Sequence, residues 1–121
     1  MLKKENRLQK EREFAKVFKG SRPISSKNLV LRVAKQNLRT EELKYLSTKF
    51  GFIISNKVNK LATGRNALKR QLRAIIENEL PNIKTGYNVV IIVKQDFEKP
   101  YDQKAIKEQI VELLGKAGLL G

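Results

Sequence analysis

Residues 50–81 decide the fold, and they read FGFIISNKVNKLATGRNALKRQLRAIIENELP. The first part has strand character, because Phe50, Phe52 and Ile54 place large apolar side chains at a period of two. The second part has helical character, because its apolar residues recur three and four positions apart. Those residues are Leu68, Leu72, Ile75 and Ile76. The stretch therefore predicts a strand, a basic loop and an amphipathic helix in succession.

The elements predicted for the whole chain follow the order αβββαβα. They are a helix over about 10–20, a turn or brief edge strand within 21–26, strands over 28–34, 45–55 and 87–93, and helices over 63–79 and from near 100 to 115. Thr63 is the predicted N-cap of the middle helix. Strand 87–93 is apolar on both faces, which is typical of a central, buried strand. We expect strands 28–34 and 45–55 to pair antiparallel.

These elements predict an α+β fold of the two-layer sandwich type, with helices packed on a mostly antiparallel four-stranded sheet. Leu29, Leu31 and Val33 share one face of their strand, and Val30, Arg32 and Ala34 share the other. A length of 121 residues suits a single domain. Residues 1–10 are polar and basic, so they are expected to form a flexible tail.

The composition excludes several kinds of chemistry. The chain has no Cys and no His, so it has no disulfide scaffold, no zinc site of the usual ligands and no histidine-based catalysis. The longest apolar run, residues 89–93, is far shorter than the roughly 20 residues that span a bilayer. No apolar segment of a signal peptide follows the first residues. We therefore expect a soluble cytoplasmic protein without a membrane partner.

The charge is large and unevenly placed. The formal net charge is +14, and residues 1–76 hold 20 basic and 5 acidic side chains. Between Glu42 and Glu77 there is no acidic residue at all. An ordinary solubilising surface mixes the two signs. This distribution favours a polyanionic partner instead.

The helix over 63–79 concentrates that charge on one face. At about 100° per residue, five polar residues fall within an arc of roughly 140°, away from the apolar stripe. They are Arg65, Asn66, Lys69, Arg70 and Arg73. Like charges four residues apart cost a few tenths of a kcal/mol per pair, so helix stability does not favour this arrangement. Phosphate binding does favour it, because arginine forks and lysine charges match phosphate oxygens.

Three stretches of this sequence resemble the protein component of bacterial ribonuclease P. Residues 65–73 are similar to the family's arginine–asparagine–arginine signature helix. Residues 51–58, Gly-Phe-Ile-Ile-Ser-Asn-Lys-Val, resemble its Gly-Phe-x-Val-Ser-x-Lys-Val strand and loop. Arg7-Leu8 and residues 14–20 resemble its Arg-Leu and Phe-x-x-Val-Phe-x-x-Gly patterns. Order and spacing match over about 6–95, although Arg32 stands where the family commonly has an aromatic residue.

The resemblance implies a ribonucleoprotein that removes the 5′ leader from precursor tRNA. The RNA subunit would perform the Mg²⁺-assisted hydrolysis and bind the Mg²⁺, so no cofactor, metal ligand or catalytic residue is expected on the protein. The implied partners are ribonuclease P RNA and precursor tRNA, without a protein partner. The resemblance also implies a left-handed crossover between the strands at 45–55 and 87–93, against the usual right-handed preference.

The resemblance assigns residues to two RNA contacts. The catalytic RNA would meet Arg65, Asn66, Lys69, Arg70, Arg73, Lys57, Lys60 and Arg7. A cleft for the single-stranded leader would be lined by Phe14, Phe18, Arg32, Ser55 and Asn56. Aromatic rings in a cationic groove suit single strands, since every base can stack on them.

The residues by themselves leave other interpretations open. Spacing alone favours Phe14 and Phe18 as simple core residues, and it does not decide between ordinary loop lysines and RNA contacts for Lys57 and Lys60. A ribosomal or other structural RNA-binding protein would fit the basic helix and sheet equally well. A protein-only, metal-dependent nuclease would need clustered carboxylates, which are sparse here. A duplex DNA-binding protein is a further alternative, without helix-turn-helix spacing to support it.

Overall fold

The computed structural model describes residues 6–8, 11–36 and 48–120. Within them the helices are α1 (Glu11–Gly20), α2 (Ala62–Glu79) and α3 (Gln103–Lys116), and the strands are β1 (Ile24–Ser25), β2 (Leu29–Lys35), β3 (Lys49–Ile54) and β4 (Tyr87–Val93). A single 3-10 turn, Leu80–Asn82, follows α2. The predicted αβββαβα order and the α+β class are confirmed. No helix in the described ranges is long and apolar enough to cross a membrane.

The described strands form one mixed sheet in the order β1-β2-β4-β3. β2 pairs antiparallel with β1 and with β4, whereas β3 runs parallel to β4. The predicted direct pairing of β2 with β3 is wrong, because β4 lies between them. Val89, Val90 and Ile91 of β4 are buried on both faces, and a central position is the one that removes both faces from water. The left-handed sense of the β3–α2–β4 crossover stays a prediction.

One face of the sheet is sealed by α2 and α3. The apolar stripes of both helices pack against alternate residues of the strands, and the largest side chains there are almost fully buried. They are Leu29, Leu31, Phe50, Ile91, Leu68, Leu72, Ile75, Ile76, Ile106, Ile110 and Leu113. The face of β2 that carries Leu29, Leu31 and Val33 is therefore the inward one, and this cluster is the main core.

The opposite face of the sheet is covered by α1. Val17 of α1 and Val90 of β4 are fully buried. Together with the buried Leu8 they form a second, smaller core cluster. The predicted two-layer description thus gains a third layer at α1. The physical reason is again β4, whose second apolar face needs its own cover.

Residues 6–8 lie beside β3 and do not form a free tail. The backbone N–H of Leu8 donates to the carbonyl of Phe50 at 2.9 Å, and the Asn6 side chain donates to the Thr48 carbonyl at 3.0 Å. Because Leu8 is buried there, the prediction of a flexible tail is wrong for this part. The remaining residues of 1–10 and the first positions of the strand predicted over 45–55 lie outside the described residues.

The ends of α2 and α3 differ from their predicted positions. α2 begins at Ala62 after Leu61, so Thr63 lies inside the first turn and its predicted role as N-cap is wrong. α3 begins at Gln103, because the Asp102 side chain accepts a hydrogen bond from the Lys104 N–H at 3.0 Å. The start of α2 depends on a neighbouring loop, described below.

Candidate nucleic-acid interface

α2 carries the five polar residues of the predicted cationic arc on the side opposite the core. We call Arg65, Asn66, Lys69, Arg70 and Arg73 the basic face of α2. Asn66 and Arg70 are exposed, while the other three are half-buried. The first turn of α2 carries no acidic residue, so the positive end of the helix dipole is uncompensated there. The basic face therefore combines charged side chains with a helix end that favours anions.

Arg65 has a structural contact as well as a charge. Its guanidinium donates hydrogen bonds to the carbonyls of Asn59 at 2.8 Å and Lys60 at 3.1 Å. These bonds hold the loop before α2 against the helix. The prediction that Arg65 meets RNA is therefore accompanied by a role that sequence spacing did not indicate.

The loop that connects β3 to α2, residues 55–61, lies beside the basic face and is called the basic loop below. Ser55, Asn56, Lys57 and Lys60 are exposed, and 66% of Leu61 is accessible to solvent. The turn closes through hydrogen bonds from the Val58 and Asn59 N–H groups to the Ser55 carbonyl. Lys57 and Lys60 thus lie in the loop that leads directly into α2, and their predicted contact with RNA stays a prediction.

Asn59 is the buried residue of the basic loop, and sequence reasoning missed it. Its side-chain oxygen accepts from the Leu61 N–H at 3.0 Å, and its amide donates to Asp96 at 3.3 Å. Gly64 leaves the necessary room, since a Cβ there would lie 2.7 Å from the Asn59 side-chain oxygen. Asn and Gly clustered before a helix were the available signal, because both residue types are typical of turns. Asp96, far along the chain, had no local signal.

The exposed Phe18 and the half-buried Arg32 form a pair on the face of the sheet that α1 covers. The Arg32 guanidinium carbon lies 5.1 Å from the centre of the Phe18 ring, and 38% of Phe18 is exposed. The guanidinium is oriented by hydrogen bonds to the carbonyls of Phe18 at 3.3 Å and Ser21 at 3.2 Å. This pair is a fixed cation–aromatic surface open to solvent.

Phe14 packs closely against β3 because Gly51 has no side chain. A Cβ at Gly51 would come to 2.5 Å from the Phe14 Cζ atom and 3.1 Å from Leu8. Phe14 is half-buried, which leaves part of it accessible at the predicted cleft. The glycine thus allows α1 to approach the sheet closely.

A strip of apolar side chains lies on the same sheet face as Phe14 and Arg32. Ile92 of β4 pairs with Val30 on one side and Ile53 on the other, and all three are half-buried. We call these three residues the open strip. Arg32 and Gly51 both pair with Val90 in the adjacent row, which sets them about 10 Å apart across the sheet. Sequence reasoning missed the strip, whose signal was the second apolar face of β4.

The predicted cleft residues therefore fall into two groups. Phe14, Phe18 and Arg32 lie along α1 and its sheet face, whereas Ser55 and Asn56 follow the end of β3. Ser55 lies four positions after Gly51 along the extended chain, which is about 13 Å. A single extended chain of a few nucleotides could touch both groups along the open strip.

Arg7 lies apart from the basic face of α2. It pairs with Phe50 on the outer edge of β3 and is half-buried. Within the described ranges, its Nε and the Nε of Arg73 are buried without a hydrogen-bond partner. The structure places Arg7 on the edge of the sheet rather than on the helix.

A surface with fixed cations on a helix and open aromatic and apolar groups on a sheet suits phosphates and unpaired bases. It defines an RNA-binding protein of the α+β class. Comparison with known proteins narrows that class. The family model described as Ribonuclease P matches residues 2–118, which is nearly the whole chain.

Curated relatives agree with the family model. The ribonuclease P protein component of Rippkaea orientalis is 37% identical over 119 residues, covering 98% of this chain and 91% of that protein. The corresponding component of a Pseudanabaena species is 34% identical over 120 residues, covering 99% and 97%. This chain belongs to the bacterial ribonuclease P protein family, the protein subunit of an endoribonuclease that acts in tRNA 5′ processing. Its partner is the ribonuclease P RNA.

A solved structure supports the fold. A Staphylococcus aureus RNase P protein, described as a mutant with defective mRNA degradation activity, superposes with a TM-score of 0.81 at 20% identity. The match covers 97% of this chain and 92% of the other. The α+β architecture described above is therefore shared with that protein.

Proposed function

We propose that this subunit uses two surfaces for two RNA molecules. The basic face of α2, with Lys57, Lys60 and Arg7, binds the phosphate backbone of ribonuclease P RNA. The surface along α1 and the open strip, with Ser55 and Asn56 at its end, holds the single-stranded 5′ leader of precursor tRNA. The cytoplasmic location that this role implies is part of the proposal.

The observation that carries the leader site is the Phe18–Arg32 pair. Its ring is 38% exposed although phenylalanine normally avoids water, and its guanidinium is oriented by carbonyl contacts before any ligand binds. An ordered aromatic face beside a cation stacks a base and neutralises its phosphate at little entropic cost. The open strip then offers a further apolar floor to an unpaired chain.

The protein supplies binding and orientation in this proposal, and the RNA supplies the chemistry. Among the described residues, no three His, Cys, Asp or Glu side chains lie in a group that could hold a metal ion. We propose that no catalytic step depends on a side chain of this protein. We propose that the Mg²⁺ that assists phosphodiester hydrolysis is held mainly by the RNA subunit.

A pair of binding curves tests the leader site. Phe18→Ala is assembled with ribonuclease P RNA and titrated with precursor tRNA and with mature tRNA, which has no leader. Loss of one base stack should weaken precursor binding by about 1 to 3 kcal/mol and leave mature tRNA binding unchanged. Equal weakening of both curves would exclude the leader site at Phe18.

The matched variant for the second surface is Arg70→Ala, on the exposed part of α2. Removal of one phosphate contact should weaken binding of ribonuclease P RNA and reduce its salt slope by about one unit. Precursor and mature tRNA should then bind the assembled complex in the same ratio as before. A changed ratio would mean that Arg70 contacts the substrate instead.

A further inference from the structure

Asp96 joins two loops that are distant in sequence. It follows β4 by three residues, and its Oδ2 accepts a hydrogen bond from the Asn59 amide at 3.3 Å, across 37 residues of chain. Its Oδ1 accepts from the Tyr101 hydroxyl at 3.0 Å and from the Phe97 N–H at 2.9 Å. The carboxylate is therefore held on one side by the β4–α3 loop and on the other side by the basic loop.

Asn59 receives this contact at the centre of the basic loop. It is 8% exposed, its oxygen accepts from the Leu61 N–H, and its backbone carbonyl accepts from the Arg65 guanidinium. Gly64 packs so closely against it that a larger residue would overlap the amide. The orientation of the amide is thus set by its neighbours, with the nitrogen directed toward Asp96.

Lys57, two positions before Asn59, and Lys60, directly after it, are the exposed lysines of the basic loop. Lysine side chains are flexible, so the loop backbone limits the region that their charges can reach relative to Arg70. That backbone is bound to α2 through Arg65 and to the β4–α3 loop through Asp96. Loss of the Asp96 attachment leaves the centre of the loop held to the rest of the protein less firmly, through Arg65 and the packing of Val58.

We propose that Asp96 and Asn59 are positioning residues, which orient Lys57 and Lys60 to meet phosphates of ribonuclease P RNA together with the basic face of α2. The inference rests on the proposed function and deepens it by adding two residues that touch no RNA. It also makes a prediction with an unusual sign, because Asp96 is an acidic residue behind a basic surface.

Simple Coulomb attraction and positioning predict opposite results for Asp96→Asn. Removing a negative charge near a polyanion should strengthen binding if charge alone matters. The new amide, however, would turn a donor toward the Asn59 amide, while its oxygen stays with Tyr101 and Phe97. Asn59 cannot rotate in response, because its own oxygen is used by the Leu61 N–H. Positioning therefore predicts weaker binding despite the more positive protein.

The charge control is Glu98→Gln, in the same loop at an exposed position. It also removes one negative charge, and we expect unchanged or slightly tighter binding of ribonuclease P RNA. Asp96→Asn should weaken that binding roughly three- to tenfold and lower the salt slope by up to about one unit. Each variant is first shown to be folded by its melting transition at the binding temperature.

An exchange of the two side chains restores the contact without changing the net charge. In the double variant Asn59→Asp, Asp96→Asn the carboxylate at 59 accepts from the amide at 96 and from the Leu61 N–H. We expect wild-type affinity and salt slope from this pair, and the weakest binding from Asn59→Asp alone, which places two carboxylates together. Failure of the exchange to recover binding would overturn the positioning role.

A background without the two lysines completes the test. Asp96→Asn is introduced into a protein that already carries Lys57→Ala and Lys60→Ala. It should have no further effect on RNA affinity there, since the groups that it positions are absent. If Asp96→Asn still lowers RNA affinity in that background, Asp96 acts on stability in general. If it raises RNA affinity, Asp96 acts through its charge. Either result overturns the inference. If Arg70→Ala also fails to weaken RNA binding, the proposed function itself is wrong, so the two failures are distinct.

Discussion

The two faces of the sheet are covered to very different degrees. Against one face, α2 and α3 bury an almost continuous layer in which Phe50 is 1% exposed. Against the other face, α1 buries Val17 but leaves Phe18 and the open strip partly accessible. The sealed face supplies most of the apolar burial that stabilises the fold. The other face is left with side chains that a ligand can still cover.

Truncation of the two phenylalanines should give the largest contrast between the faces. Phe50→Ala removes a fully buried ring and should lower the free energy of unfolding by about 3 to 5 kcal/mol. Phe18→Ala removes a half-exposed ring and should cost about 1 kcal/mol or less. Chemical denaturation of both variants measures the difference. Similar losses would mean that α1 seals its face as fully as the other helices do.

A methyl group at Gly51 should separate α1 from the sheet. Gly51→Ala places a Cβ against the Phe14 ring and near Leu8, and such overpacking costs about 1 to 3 kcal/mol. Because the displaced ring belongs to the proposed leader site, precursor tRNA should bind more weakly while mature tRNA is unaffected. Thermal melting and the two binding curves check this. A stable variant with unchanged precursor binding would show that α1 needs no close approach here.

Two arginines on α2 should differ in stability, although both belong to the basic face. Arg65→Ala removes the guanidinium that holds the basic loop and should cost about 1 kcal/mol, a discounted value for a half-exposed charged donor. Arg70→Ala should leave the free energy of unfolding within about 0.5 kcal/mol. Denaturation midpoints of both variants decide it. Equal midpoints would remove the structural role of Arg65.

The smallest expected effect concerns Tyr101, at the edge of the sealed face. Burial first, and then the hydrogen bond to Asp96, raise the pKa of the Tyr101 hydroxyl above 10.0, its ordinary value. The unfolded chain therefore loses this proton at lower pH than the folded one. The stability that the group contributes is present below pH 10.0 and is lost as the pH rises through the raised pKa.

Tyr101→Phe isolates that contribution, because every other ionisable group is common to the two proteins. Above pH 10.0 the wild type should lose more stability than the variant does. Ultraviolet titration of the folded wild type should show a tyrosine ionisation above pH 10.0 that is missing from Tyr101→Phe. Superimposable pH profiles for the two proteins would contradict the raised pKa.

Much of the fold could be predicted because its signals are local. The strands, the amphipathic character of α2 and the cationic arc on its outer side follow from residues two, three or four positions apart. The central place of β4 followed from its apolar residues on both faces. The strand order could not be predicted correctly, since proximity in sequence favours pairing of β2 with β3. In the structure β4 lies between them, where both of its apolar faces are covered.

The candidate site divides along the same line. Arg70 and Lys69 needed only helical spacing, and the residues taken from the resemblance depend on motifs within one element. The tether from Arg65, the open strip across three strands and the contact of Asn59 with Asp96 depend on elements that meet only in space.

The sequence by itself determined the α+β class, the basic surface that a polyanionic partner would bind and the absence of histidine and cysteine chemistry. Those properties are set by composition and by short-range periodicity, which hold in any arrangement of the elements. The tertiary structure decided which face of the sheet stays open and which loop holds the lysines. Both depend on packing between residues tens of positions apart, such as Asn59 and Asp96, because burial and hydrogen bonding are satisfied by the whole fold rather than by neighbours in the chain.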